Sequence, residues 1–318
     1  MTLSVKSLGV LLGGHALVDD FSLELKAGEV HAVVGESGSG KTLSALAVLG
    51  LLPEGAEARG SAQRGGVELL TAQGPLRRAG LSMVLQEPLS ALNPVLSVGD
   101  QLVETLSVHR RAGDLRAAAI ALLGEVGIPE GGQRLGMFPH QLSGGQRQRV
   151  SIACALAAGP EVLIADEPTT ALDASMRGVI LTLLKTLAKE RSLAVWLITH
   201  DLHAVRGAAD QVTVMYAGRV VEQGPTARVL ESPRHPYTVA LLASNPAAAK
   251  PGVPLPTLAG AVPLAREVIA GCRFHPRCPK VIDRCRTERP ALIEGVACHL
   301  AHLSPSPHLG EGRGEGEP

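Results

Sequence analysis

Three stretches of this sequence carry residues suited to phosphate chemistry. Residues 35–42, GESGSGKT, fit the pattern G-x-x-x-x-G-K-[ST]. Gly35, Gly38 and Gly40 let backbone N–H groups curl around an anion, with a helix N-terminus behind them. Glu36, Ser37 and Ser39 fill the rest of the loop. Lys41 can reach the outer phosphates of a nucleoside triphosphate, and the Thr42 hydroxyl can hold Mg²⁺. In the second stretch, VLIADE at 162–167, Asp166 ends an apolar run. A carboxylate there can hold Mg²⁺, and Glu167 beside it can orient an attacking water as a general base. The third stretch is LSGGQ, 142–146, in which Ser143, Gly144, Gly145 and Gln146 form another hydroxyl-bearing glycine turn before a helix. The chain thus carries two such turns, about a hundred residues apart, which raises the question of why one protein needs both.

The elements that must position these residues alternate. EVHAVV at 29–34 reads as a buried strand running into the glycine loop, and a helix follows from Thr42. LSMVLQ (81–86), VLIAD (162–166) and LAVWLIT (193–199) read as further buried strands, with a helix over LTLLKTLAKE between the last two. Strand, helix, strand with apolar strands gives a mainly parallel sheet. Ligands bind at the carboxyl ends of such strands. His200 and Gln86 stand at two of those ends; His200 is placed to hydrogen-bond a γ-phosphate, and Gln86 can contact Mg²⁺ or water but on its own reads equally as an ordinary loop amide. Residues 3–25 alternate as antiparallel strand material with a turn at Gly13-Gly14, 53–80 read as irregular, and 211–224 read as a closing hairpin. Residues 97–156 are helical, with Ser97 and Asp100 as a capping box and Asp114 as a second cap.

The composition narrows the partners. The 318 residues hold 30 basic and 30 acidic side chains, 45% apolar residues and 2% aromatics. A neutral chain with few rings makes no electrostatic or stacking case for nucleic acid. The start, MTLSVKSLGV, has no signal-like apolar run, and no run approaches the ~18–20 residues of a membrane helix. A cytosolic chain is expected, with its five cysteines reduced or metal-bound.

GESGSGKT, the Gln86 loop, LSGGQ, LIADEP, ALD at 171–173 and His200 occur in the order found in ATP-binding cassette (ABC) ATPases, which residues 1–235 resemble. The resemblance implies an α/β P-loop NTPase core with an antiparallel N-terminal β subdomain and an inserted helical subdomain at about 90–158. It also answers the two-turn question. In that family the second turn contacts the γ-phosphate on a partner subunit, here through Ser143 and Gly145, and Asp173 sits at the shared interface. ATP and Mg²⁺ would then join two cassettes head to tail, the partner being a copy or a sister ATPase. The family's usual adenine-stacking aromatic is replaced by Leu12, which implies weak base selectivity.

QEPLSALNP, ADEPTTALD, SPRHPYTVALLAS and CRFHPRCP extend the resemblance to about residue 300, toward the ATPases of oligopeptide, dipeptide and nickel importers. That implies two separate membrane permeases, a solute-binding protein, and a place on the cytoplasmic face of the inner membrane. A soluble ABC ATPase of DNA repair or translation, and a nucleotide-binding redox or regulatory module, are the rival readings.

A C-terminal extension at 236–303 would hold a Pro/Ala linker and a cysteine segment, followed by a disordered tail at 304–318. Cys272, Cys278, Cys285 and Cys298 cluster there, whereas Cys154 reads as a small core residue. Four clustered thiols suit zinc, an iron–sulfur cluster or no metal at all. The resemblance favours a [4Fe–4S] cluster. His275 and His299 are alternative ligands or plain exposed residues.

Overall fold

The structure, a computed structural model, describes residues 2–70, 80–87, 91–109, 113–244, 258, 260–263, 267 and 269–302. The alternation over 3–25 gives strands β1 (Leu3–Leu12) and β2 (His15–Leu25), paired antiparallel through the Gly13-Gly14 turn. Strand β3 (Val30–Val34) is buried throughout and leads into helix α1 (Lys41–Leu49).

The stretch 53–80, expected to be irregular, contains regular structure. Strands β4 (Ala56–Arg64) and β5 (Val67–Glu68) lie within it, and β4 pairs with the free side of β1. The order is β2-β1-β4-β5. Only Ala62 of β4 is fully buried, so no apolar alternation announces the strand. Backbone pairing carries it instead. Gly60, at φ 100°, sits where a Cβ would strike the Ser7 carbonyl, so the close approach of the two strands depends on glycine.

The second sheet adds β6 (Leu81–Val84), β7 (Val162–Asp166), β8 (Ala194–Thr199), β9 (Gln211–Tyr216) and β10 (Arg219–Pro225) in the order β10-β9-β3-β8-β7-β6. Every pair is parallel except the edge hairpin β9–β10. Alternate residues of its strands enter two cores. Val33, Ile164, Trp196 and Ile198 pack with α1 and the first sheet, where Phe21 stacks on Trp196 at 5.6 Å. Ala32, Val34, Leu163, Ala165, Val195 and Leu197 pack with the helices on the other face.

Those helices are α2 (Val98–Val108), α3 (Leu115–Glu125), α4 (Gly131–Arg134), α5 (Gly144–Ala157) and α6 (Ala174–Glu190). Both expected caps form. Ser97 and Asp100 bond reciprocally at the start of α2, and Asp114 accepts from Arg116 and Ala117 at the start of α3. Among the described residues no helix is long and apolar enough to cross a membrane.

Helices α7 (Thr226–Glu231) and α8 (Pro236–Ala243) precede a lobe of short turns at 269–302 that includes α9 (Arg284–Thr287). The lobe has little core of its own and borrows one. Phe274 is buried against Tyr216, Tyr237 and His235. Arg273 and Arg289 from the lobe, with Arg219 of β10, converge on Asp19 of β2. These three guanidiniums hold the Asp19 carboxyl below its usual range against the opposing effect of burial. Of the expected Pro/Ala linker at 244–256 only Ser244 is among the described residues, and the 304–318 tail lies outside them.

Candidate functional site

The glycine loop joins β3 to α1. At Gly35 a Cβ would run into the Met215 carbonyl, and Gly38 and Gly40 hold φ of 79° and 95°. Only glycine meets all three demands without strain. Lys41 is buried, and its ammonium donates to Gly35 O at 2.7 Å and Glu36 O at 3.0 Å. Burial lowers its pKa, while the charges of Glu167, Asp166 and Glu36 work the other way. The ammonium thus rests inside the loop, aimed at the place an anion would take.

Asp166 ends β7 and is 4% exposed. Its Oδ1 accepts from Thr42 Oγ1 at 3.1 Å. Burial, with Glu167 nearby, pushes its carboxyl up, and the Thr42 hydrogen bond and Lys41 pull it down. Two hard oxygen donors facing each other in a buried place fit Mg²⁺. Glu167 follows with φ 47°, a left-handed conformation unusual for a non-glycine residue. Its N–H donates to Ile198 O at 2.9 Å, which turns the chain sharply at the strand end. Its Oε2 accepts from Thr170 Oγ1 at 2.5 Å and meets His200 Nδ1 at 2.6 Å.

Lys41, Thr42, Gln86 and Glu167 line one cavity of about 510 Å³ with Ser37 and Gly38. These residues, singled out from the sequence, thus share one cavity. Four others on the same cavity went unmarked in the sequence: Leu17 of β2, Leu43 of α1, and Val262 and Pro263 from the C-terminal part. Leu12 does not line it; its side chain lies beside Gly55 and is 38% exposed. A leucine two residues into β2 and a Val-Pro pair in a linker carry no signal of their own.

The second glycine turn lies away from this cavity. Ser143 caps α5, its Oγ accepting from Gln146 N at 3.3 Å while Gln146 Oε1 accepts from Ser143 N at 3.0 Å. Gly144 lies close to Leu172, and Gly145 faces Met176 so closely that a Cβ would clash with its side chain. Asp173 caps α6, accepting from Met176 N at 2.9 Å and Ser175 Oγ at 2.6 Å. The Ser175 hydrogen bond, then that of Met176, lowers its pKa. The turn and the Asp173 corner thus form one surface, separate from the P-loop.

A family model described as "ABC transporter" matches residues 18–170. One described as "Oligopeptide/dipeptide transporter, C-terminal region" matches residues 221–285. The dipeptide transport ATP-binding protein DppD of Escherichia coli is 44% identical over 301 residues, covering 91% of this chain and 92% of that protein. The chain belongs to the ABC transporter family. The oligopeptide transport ATP-binding protein OppD of Mycobacterium tuberculosis is 46% identical over 89% of this chain and 48% of its own length. Among solved structures, cbiO1 of Clostridium perfringens, part of an ABC transporter complex, matches with TM-score 0.65 and 29% identity, covering 73% of this chain and 91% of its own. A dimeric ATP-binding cassette in a post-hydrolysis state, bound to ADP and Pi, matches with TM-score 0.60 and 28% identity over 70% of this chain and 98% of its own.

In this ABC transporter subunit the geometry gives no support to the expected cysteine metal centre. Among the described residues no three His, Cys, Asp or Glu side chains are grouped to hold a metal ion. Cys272, Cys278, Cys285 and Cys298 do share the lobe, and Cys272 N donates to Cys285 O at 2.9 Å. Burial pushes the Cys272 thiol up to about 11, and the three other thiols add to it. Cys154 packs against the main core, its thiol pushed up to about 12 by burial, as a core cysteine should be. His275 Nδ1 bonds Cys272 O and His299 Nε2 bonds Glu288 O, so both rings have local partners.

Proposed function

We propose that this chain is the ATP-hydrolysing subunit of an ABC importer that takes up peptides through separate membrane permeases. One observation supports this above others. Lys41, the Thr42–Asp166 pair and the Glu167–His200 pair meet at the carboxyl ends of β3, β7 and β8, in a chain that matches both the ABC and the peptide-transporter C-terminal models.

The P-loop amides and Lys41 take the triphosphate. Thr42 and Asp166 would hold Mg²⁺, with Gln86 on the same cavity as a further oxygen donor to it or to water. Mg²⁺ held there would neutralise charge developing on the phosphoryl oxygens. Glu167 accepts the proton of the attacking water, and His200 holds Glu167 in place and reaches the γ-phosphate.

Ser143 Oγ accepts a backbone hydrogen bond and still has its O–H to donate. That suits contact with a γ-phosphate on a partner cassette, either a copy or a sister ATPase. The reading takes residues 1–235 as the cassette, with its helical insertion at about 90–158, and 236–303 as the importer-type extension. It places the subunit at the cytoplasmic face of the inner membrane with two permeases, and a solute-binding protein acts outside. DppD and OppD name dipeptide and oligopeptide transport. Neither a repair or translation role nor a nucleotide-binding redox module accounts for the C-terminal match together with Glu167 and His200. The [4Fe–4S] reading of the lobe rests on the resemblance and on four neighbouring thiols. Iron and acid-labile sulfide analysis of anaerobically purified protein tests it: a full cluster per chain supports it, and an iron-free, active protein removes it.

Proteoliposomes holding the subunit with its permeases and binding protein provide the test of function. Labelled dipeptide should accumulate only with ATP, and a Lys41→Ala variant should abolish uptake. ATP turnover that no peptide, permease or binding protein alters would overturn the importer reading.

A further inference from the structure

We infer that Arg277 is a positioning residue for nucleotide binding, holding and neutralising the Glu36 carboxylate at the base of the P-loop. This deepens the reading of that loop as an ATP site and rests on it. Arg277 and Glu36 stand 241 positions apart in the sequence, yet Arg277 Nη1 donates to Glu36 Oε1 at 3.3 Å and Oε2 at 3.2 Å. The arginine side chain is 6% exposed. It also donates to Tyr216 Oη at 3.3 Å, and its guanidinium lies 5.7 Å from the Tyr216 ring centroid. An arginine this buried and this well partnered has one orientation.

Every polar group of Glu36 is engaged. Its N–H donates to Tyr237 Oη at 3.0 Å, its carbonyl accepts from Lys41, and its carboxylate is held by Arg277. Tyr237 is itself buried between Tyr216 and Phe274, on which the C-terminal lobe is seated. The base of the loop is thus braced from the lobe.

Charge explains why the brace matters. A carboxylate at the second position of a phosphate loop is an anion beside a tetra-anionic ligand. Its charge already reaches Lys41. Without Arg277 the Glu36 carboxylate would compete with the triphosphate for that ammonium and repel the phosphates. With Arg277 the carboxylate is paired with a cation of its own. The cost of removing Arg277 therefore falls on nucleotide affinity, while Glu167 and His200 are untouched.

Arg277→Met keeps an apolar stem over Tyr216 and removes the guanidinium. We expect KM for ATP to rise roughly tenfold, with kcat within about twofold, as for the loss of one charge-assisted contact. Arg277→Lys should recover most of the affinity. Adding Glu36→Gln to Arg277→Met should also restore it, because no carboxylate is left to neutralise. Glu36→Gln alone should lower KM, since it removes the anion and leaves Arg277 a cation beside the loop, and this variant gives an answer even if the methionine variant does not fold. Direct binding of a fluorescent ATP analogue to the same proteins in the Glu167→Gln background gives affinity without turnover. If the Glu167→Gln parent binds no nucleotide, the ATP reading itself fails. If it binds, and Arg277→Met binds equally well, the positioning role fails. A Glu36→Gln variant as weak as Arg277→Met, or a double variant that is not rescued, also overturns it, since the link would then be one of shape and not of charge.

Discussion

His200 Nδ1 stands 2.6 Å from Glu167 Oε2, joining the residues that follow two neighbouring parallel strands, β7 and β8. The contact exists because Glu167 adopts a left-handed backbone and donates its N–H to Ile198 O on the adjacent strand. The chain turns at once, and the carboxylate meets the imidazole. Together with Thr170, the histidine fixes one oxygen of the base.

Replacing Glu167 with Gln should lower ATP turnover by at least about a hundredfold, the usual range for losing a general base. Binding should persist, and the trapped nucleotide should hold two cassettes together. Phosphate release and size-exclusion chromatography with and without ATP measure the two effects. Undiminished hydrolysis would remove Glu167 as the base.

A His200→Ala change should reduce kcat by about ten- to a hundredfold with a small change in KM, since the base remains but loses its support. Thr170→Val, which removes the other donor to the same oxygen, should cost less. Equal effects of the two would mean that His200 does no more than hold the carboxylate.

GTP should compete appreciably with ATP for this site. Among the described residues the apolar lining of the cavity includes Leu17, Val262 and Pro263 and no aromatic ring, and Leu12 stands elsewhere. Apolar contact of this kind has little hydrogen-bond discrimination between purines. A competition assay with strong ATP preference would count against this.

Stability should fall in mild acid. Burial depresses His31 from 6.5 to about 4 and His235 from 6.5 to about 3. Both rings are neutral in the fold, with His31 Nε2 bonded to Thr213 and His235 Nδ1 accepting from Tyr237 N. Unfolded histidines bind a proton below pH 6.5, so the unfolded chain gains stability as pH drops. Each contributes a loss of about 1.4 kcal/mol per pH unit below that point, ending for His31 near pH 4. Urea melts between pH 7 and pH 4.5 test this, and replacing His31 with Gln should flatten the slope.

The sheet, its crossovers and the P-loop constellation were legible because they obey strong local rules. Buried parallel strands read as apolar runs, and the phosphate loop needs glycines at fixed offsets. The Ser97 and Asp114 caps were legible for the same reason. Strand β4 was not, because AEARGSAQR has one buried residue and holds its place by backbone pairing. The Arg277–Glu36 contact was not, because nothing local marks two residues so far apart in sequence. The cysteine spacing suggested a metal centre, but packing gave the lobe another anchor in Phe274 and the arginines on Asp19.

That anchor has a consequence for anyone trimming the chain. A fragment ending before residue 270 would not be a leaner cassette. It would open the hollow that Phe274 fills between two tyrosines and strip Asp19 of two of its three cations. The motifs alone delimit a shorter protein than the one the packing requires.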